Sequence, residues 1–259
     1  MTPSRELTAA LEAAEAAACV IRECYQRQLA VELKADQSPV TAADRRAEDA
    51  IRAVLGQRCP EYGFHGEERG RSGDREQLWL IDPIDGTKAF VREYPMFSTQ
   101  IALWRDGRLQ LGVSSAPLYG ELAWAERGAG AWLNGRRLRV SDTARLEDAA
   151  LSAGNLRSLA LGTRWSAYGR LVARVNRIRG YGDFLHYHLL AAGKIDAVIE
   201  SDVSILDIAA LVTIVEEAGG RFTTLDGAPI SLASGSVLAS NTRLHAALGA
   251  ALDPAELSR

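Results

Sequence analysis

The chemistry in this chain is densest at Asp82-Pro83-Ile84-Asp85-Gly86-Thr87, which follows the apolar run Trp79-Leu80-Ile81. The apolar run reads as a buried strand end, and Pro83, with no N–H to give a ladder, ends the pairing. Asp82 and Asp85 then fall in the turn beyond it. Carboxylates this close repel unless a cation lies between them, and hard divalent ions such as Mg²⁺ take oxygen ligands of this kind. Gly86 lets the backbone approach an anion, and Thr87 opens a helical stretch to Arg92 whose free N–H groups can receive a phosphate. Asp-Pro and Asp-Gly are also ordinary turn dipeptides, so a purely structural turn is the competing reading.

Further carboxylates flank other elements. Thr41 caps a helix with Asp44 in its first turn, where an acid also serves simply as a favourable charge at a helix N-terminus. Gly63 to Glu68 reads as a strand end delivering Glu67 and Glu68; adjacent side chains on an extended segment point opposite ways, so one of the two faces any given site. A solvated loop is the alternative there, since Arg69 to Asp74 is a polar linker. Asp207 lies near the start of a helix ended by Gly219-Gly220.

These residues need elements to hold them. Ser4 to about Leu29 has helical spacing, with Leu7, Leu11, Ala14, Ala18 and Ile21 on one face. Val31 to Lys34 reads as a short strand, Ala35 to Pro39 as a polar turn, and the helix capped by Thr41 runs to about Gly56. Phe97 to Trp104 and Leu109 to Ser114 form a hairpin around Asp106-Gly107; Leu122 to Ala125 and Ala131 to Leu133 continue the β-rich section, with Asn134-Gly135 as a turn. The pattern changes at about Asp148. From there the spacing predicts strands at Leu151–Ala153, Ile195–Glu200, Arg221–Thr224 and Ser236–Ala239. Helices are expected over Trp165–Val175, Asp183–Ala192, Ser204–Ala218 and Thr242–Leu252. The expected organisation is an N-terminal α+β lobe, 1–147, and a C-terminal α/β lobe, 148–259, packed as one unit.

At 259 residues, with 47% hydrophobic and 24% charged residues, the chain is long enough for a sizeable core. Its net charge of −3 and the lack of a concentrated Lys/Arg run argue against nucleic-acid binding. Cys19, Cys24 and Cys59 form neither a disulfide framework nor a zinc motif. Arg5, Glu6, Glu12 and Glu15 interrupt any signal-peptide core, and no stretch reaches transmembrane length; a cytoplasmic protein without a membrane partner is expected.

In order, Ser38-Pro39-Val40-Thr41-Ala42-Ala43-Asp44, Gly66-Glu67-Glu68, Asp82 to Thr87 and Leu206-Asp207-Ile208-Ala209-Ala210 resemble the motifs of the inositol-monophosphatase superfamily over nearly the whole chain. The resemblance implies a layered αβαβα sandwich and a phosphomonoesterase that uses two or three Mg²⁺ per site for metal-activated attack by water. It makes Glu67, Asp82, Asp85, Asp207 and the Ile84 carbonyl the metal ligands, with Asp44 supporting a further metal or its water. Thr87 and Glu67 would orient the water, and the Gly86 and Thr87 amides would hold the phosphate. A homodimer acting on a small phosphorylated metabolite is implied as well.

Arg179-Gly180-Tyr181-Gly182-Asp183-Phe184, Leu189 to Glu200, Val203-Ser204 and Asp207 to Leu211 look like the histidinol-phosphate phosphatase branch. The Asp183 position more usually carries a small residue in the inositol branch; an acid there pairs with an alkylammonium. Glu200 stands where the family meets the substrate's polar end. Asp183 also reads as a helix N-cap. Leu206 replaces the usual Trp before the metal-binding Asp, removing an aromatic wall. Inositol 1-phosphate or a broader set of small phosphates is the alternative substrate. Phosphatases that form an aspartyl-phosphate place nucleophile and acid two residues apart, whereas Asp82 and Asp85 are three apart. A metal- or phosphate-binding regulatory protein is the non-enzymatic reading.

Overall fold

The computed structural model describes residues 3–25, 31–33 and 39–254. The expected helical end at 26–29, and Lys34 with most of the turn after it, lie outside the described residues. Two compact units form: Met1–Arg136 with Leu206–Ile214, and Arg137–Ile205 with Val215–Arg259.

In the first unit, helix α1 (Arg5–Cys24) starts where the Ser4 hydroxyl accepts the Leu7 N–H, 3.0 Å away, and ends at Cys24, followed by extended Tyr25. The short strands β1 (Val31–Leu33) and β2 (Pro39–Thr41) pair antiparallel and lead into α2 (Ala42–Arg58). Alanines fill the buried stripe of α1 and let it pack closely on α2, whose own stripe is Ala43, Ala47, Ile51 and Leu55. Asp44 and Glu48 are also fully buried on α2, one turn apart, which charged side chains accept only when their polar atoms are satisfied.

An eight-stranded sheet follows among the described residues, built from β3 (Gly63–Gly66), β4 (Gly70–Ser72), β5 (Leu78–Asp85), β6 (Ser98–Arg105), β7 (Arg108–Ala116), β8 (Glu121–Glu126), β9 (Gly130–Leu133) and β10 (Arg136–Arg137). Its spatial order is β10-β9-β8-β7-β6-β5-β3-β4, with β3 and β5 parallel. The β6–β7 hairpin turns at Asp106 and Gly107, both at positive φ as an Asp-Gly hairpin requires. Trp79, Ile81, Ile101, Leu103, Leu111 and Val113 alternate onto the face covered by α1 and α2; each such side chain contributes about 1.5–3 kcal/mol on burial. On the other face, Gly112 of β7 meets the backbone of Ala210: a Cβ there would lie 2.2 Å from the Ala210 carbonyl oxygen. Helix backbone and sheet touch because a side chain is missing.

The strand carrying the central motif does not stop before Pro83. It runs on to Asp85, with a register shift against β6 between Asp82 and Asp85. A bulge needs no ladder donor at the extra residue, so proline is tolerated there. The Thr99 hydroxyl donates to the Pro83 carbonyl at 2.8 Å.

The second unit holds a five-stranded sheet, in the order β12-β11-β13-β15-β14. In chain order its elements are β11 (Ala150–Gly154), α4 (Arg157–Leu161), α5 (Trp165–Arg174), β12 (Arg177–Arg179), α6 (Asp183–Ala191), β13 (Ala197–Ser201), α7 (Ile205–Glu217), β14 (Gly220–Thr223), β15 (Ser236–Asn241) and α8 (His245–Ala251). The residues Leu206–Ile214 of α7 count with the first unit. Ala197 and Ile199 of β13 join Leu171, Leu238 and Leu248 in the core under α5 and α8. Val198 and Glu200, alternating with them, face the other way, toward α6. Among the described residues no helix is long and apolar enough to cross a membrane.

Candidate active site

The bulge in β5 aims successive groups at one place. The Ile84 amide donates back to Asp82 Oδ1 at 3.0 Å, locking the carboxylate to its own turn. The Ser98 hydroxyl reaches Asp85 Oδ2 at 3.5 Å, and is itself held by Gln100 Nε2 at 2.7 Å. Gly86 has φ 90°, and a Cβ on it would stand 2.7 Å from the Met96 carbonyl oxygen, so only glycine fits. Helix α3 (Thr87–Val91) then begins, one residue shorter than its sequence suggests. Among the described residues, the Gly86 and Thr87 amides donate to no partner.

Thr87 joins this turn to α2. Its hydroxyl lies 3.0 Å from the Ile84 carbonyl and 3.2 Å from Asp44 Oδ1, so one hydrogen serves two acceptors. Its lone pairs remain able to accept from a water. Asp44 is held in turn by the Thr41 amide and hydroxyl, both 2.7 Å from Oδ2, within a capping box. Asp44 thus turns Oδ2 to the helix cap and Oδ1 to Thr87. Burial pushes its carboxyl above the usual range, and the Thr41 and Thr87 hydrogen bonds oppose that shift.

Sequence reasoning missed Glu48. Fully buried, it accepts the Glu68 amide at 2.7 Å and the Arg69 amide at 3.2 Å, and pairs with Arg52 Nε at 2.7 Å. It thereby pins the turn after β3 that presents Glu67. Gly66 makes room for it: a Cβ there would overlap Glu48 Oε1 at 2.0 Å. The readable signal was Glu48 four residues after Asp44, on the same face of α2.

Glu67, Asp85 and Asp207 all act on Asp82. Burial first, then the charges of these three, push the Asp82 carboxyl well above the usual carboxylate range, and Glu67 also hydrogen-bonds to it. Among the described residues, no group of three or more His, Cys, Asp or Glu side chains is posed to hold a metal ion as it stands. Closing on an ion takes side-chain rotation from this arrangement.

Asp183 and Glu200 meet in the second unit. Asp183 does not cap its helix: Gly182 occupies the cap position, with no side-chain cap bond. Asp183 is instead the first helical residue, at φ 44°, a left-handed conformation that costs a non-glycine residue of order 1 kcal/mol. Burial first, then the charge of Glu200, raises its carboxyl, while His186 opposes this. Glu200 is buried, and its Oε2 accepts the Tyr187 hydroxyl at 2.7 Å.

Residues 3–256 match the sequence profile of the Inositol monophosphatase family. A histidinol-phosphatase of Mycobacterium tuberculosis is 43% identical over 223 residues, 84% of this chain and 85% of that protein. An inositol-1-monophosphatase of Mesorhizobium japonicum is 39% identical over 228 residues, 86% of this chain and 85% of that one. The crystal structure of the extragenic suppressor protein suhB from Bartonella henselae superposes with a TM-score of 0.89 at 34% identity, covering 96% of this chain and 99% of its own.

Proposed function

The chain belongs to the inositol monophosphatase family, with that family's layered α/β sandwich and phosphomonoester hydrolase activity, and from this premise we propose that it converts L-histidinol phosphate and water to L-histidinol and phosphate in histidine biosynthesis. Mg²⁺ is the proposed cofactor. Glu67, Asp82, Asp85, Asp207 and the Ile84 carbonyl would hold it: this donor set is all oxygen, as a hard cation requires. Burial and the charges of Glu67, Asp85 and Asp207 raise the Asp82 carboxyl, and a cation among these oxygens would relieve that repulsion. Bound there, the metal would offset charge on the phosphoryl group and acidify the attacking water.

The chain's own residues do the rest. The Gly86 and Thr87 amides, which have no partner among the described residues, bind the phosphate oxygens. Thr87, its hydroxyl hydrogen directed to Asp44 or Ile84, accepts from the attacking water and orients it, and Glu67 takes its proton. Asp183 and Glu200 receive the substrate ammonium. A homodimer in the cytoplasm goes with this reading.

The observation that carries the substrate is Asp183, a carboxyl in a left-handed conformation that caps nothing and faces a second acid. Outliers of this kind concentrate at functional sites. Inositol 1-phosphate is the second reading, supported by the similarity to inositol-1-monophosphatases. A panel of histidinol phosphate, inositol 1-phosphate, fructose 1,6-bisphosphate and 3′-phosphoadenosine 5′-phosphate, compared by kcat/KM with Mg²⁺, tests the assignment. Histidinol phosphate should lead; a lead for inositol 1-phosphate would replace it.

A further inference from the structure

We propose that His186 positions Glu200 to receive the substrate ammonium and so helps set substrate choice, an inference that rests on the reading of Asp183 and Glu200 just given. His186 is fully buried on α6, where a histidine that merely fills the core would have both ring nitrogens bonded. Only one of them is. Ser152 Oγ accepts the Tyr181 amide at 3.1 Å, which leaves its own hydrogen for His186 Nδ1 at 3.3 Å. Nδ1 is then the acceptor, and the ring proton belongs on Nε2.

The Nε2 edge of the ring lies beside the acid. Nε2 lies 3.2 Å from Glu200 Oε2, close enough for an ion-dipole contact but without the alignment of a hydrogen bond. The Tyr187 hydroxyl donates to the same oxygen, and the Tyr187 ring packs edge-on against His186, centroids 4.3 Å apart. The Tyr187 hydroxyl and the His186 ring edge therefore both crowd Oε2. Oε1 is turned over Gly154, the register partner of Glu200, where a Cβ would come within 2.6 Å of it. The asymmetry reserves one oxygen for the ligand and fixes the other. Among the described residues no side chain donates to Asp183, so the pair consists of one held carboxylate and one acid that the ligand must complete.

The test compares histidinol phosphate with p-nitrophenyl phosphate, which carries no amine, on wild type, His186→Phe, His186→Gln and Ser152→Ala with Mg²⁺ present. Phe keeps the ring volume and loses the donor; the Gln amide nitrogen reaches the place of Nε2. His186→Phe should lower kcat/KM for histidinol phosphate about tenfold, mostly through KM, with p-nitrophenyl phosphate nearly unchanged. His186→Gln should recover most of the loss, and Ser152→Ala should fall between. Equal losses on both substrates, or a Gln variant no better than Phe, would overturn the role of His186. If His186→Phe fails to fold, the Gln and Ser152→Ala variants decide it: a retained preference in Ser152→Ala together with a lost one in His186→Gln contradicts the inference. A wild type that shows no preference for the aminated substrate fails at the substrate reading itself, whereas a preferring wild type whose Phe variant prefers it equally fails only here.

Discussion

The carboxylates around Asp82 in the first unit and the Asp183–Glu200 pair in the second are both concentrations of buried negative charge, supported in opposite ways. Around Asp82 the main neighbours are other acids: burial and three like charges act on one carboxyl, against a single backbone donor from Ile84. Around Glu200 the fold supplies the Tyr187 hydroxyl as a donor and sets His186 Nε2 3.2 Å from the same oxygen. On the proposed reading the first arrangement takes a multivalent cation, because several carboxylates converge on one place. The second asks for one organic cation, because half of its charge is already answered.

The sharpest way to break this contrast is Asp85→Asn. A neutral amide is a poor ligand for a hard cation, so turnover should collapse toward background while folding survives, measured by steady-state rates across a Mg²⁺ titration and by thermal melting. Full activity in the variant, or in metal-free enzyme, would remove the first cluster's role. Thr87→Ala should lower kcat about a hundredfold with KM nearly constant, since the hydroxyl orients water while amides hold the phosphate. A change confined to KM would make Thr87 a binding residue.

Stability against pH tests the second unit away from its acidic pair. His245, bonded to Thr223 Oγ1 at 3.0 Å and Ser240 Oγ at 2.8 Å, is pushed down to about 4 by burial and then by Arg221. In the unfolded chain a histidine titrates near 6.5. Between these values the unfolded state binds the extra proton, so the stability from His245 is present above about 6.5, falls as pH drops, and is spent by about 4. The full range is about 3 kcal/mol. Urea unfolding of wild type and His245→Asn should converge from pH 7 to 4; curves that stay parallel would refute the buried neutral ring. Asp183, with its raised carboxyl, contributes with the opposite sign, its relative stability being lost as pH rises.

Smaller still is Gly112→Ala. Its new Cβ meets the Ala210 carbonyl, forcing apart β7 and the helix segment that carries Asp207, at a cost of about 1–3 kcal/mol in melting experiments. An unchanged melting temperature would mean that contact is slack.

How far the sequence foretold these sites depends on whether their cause is local. The Thr41 cap, the Asp106-Gly107 hairpin and Gly86 were readable because each depends on a residue's own conformational limits. The strand through Pro83 was not, since the bulge depends on pairing with β6, which no local pattern reports. The edge strand β12 has three residues, too few for alternation to show, and α4 has no capping bond to announce it. Glu48 was missed because its importance comes from amides twenty residues away. Asp183 looked like an N-cap for a related reason: sequence places an acid at a helix start, but not the glycine that takes the cap position.

The contrast between the two acidic regions rests on Asp183 serving an amine. The most direct measurement is kcat/KM for histidinol phosphate and for inositol 1-phosphate on wild type and Asp183→Asn. A carboxylate paired with an ammonium in a partly desolvated pocket contributes about 1.5–3 kcal/mol. Asp183→Asn should therefore cost histidinol phosphate about tenfold to a hundredfold, and inositol 1-phosphate less. Equal losses on the two substrates, or a wild type that prefers inositol 1-phosphate, would contradict the assignment.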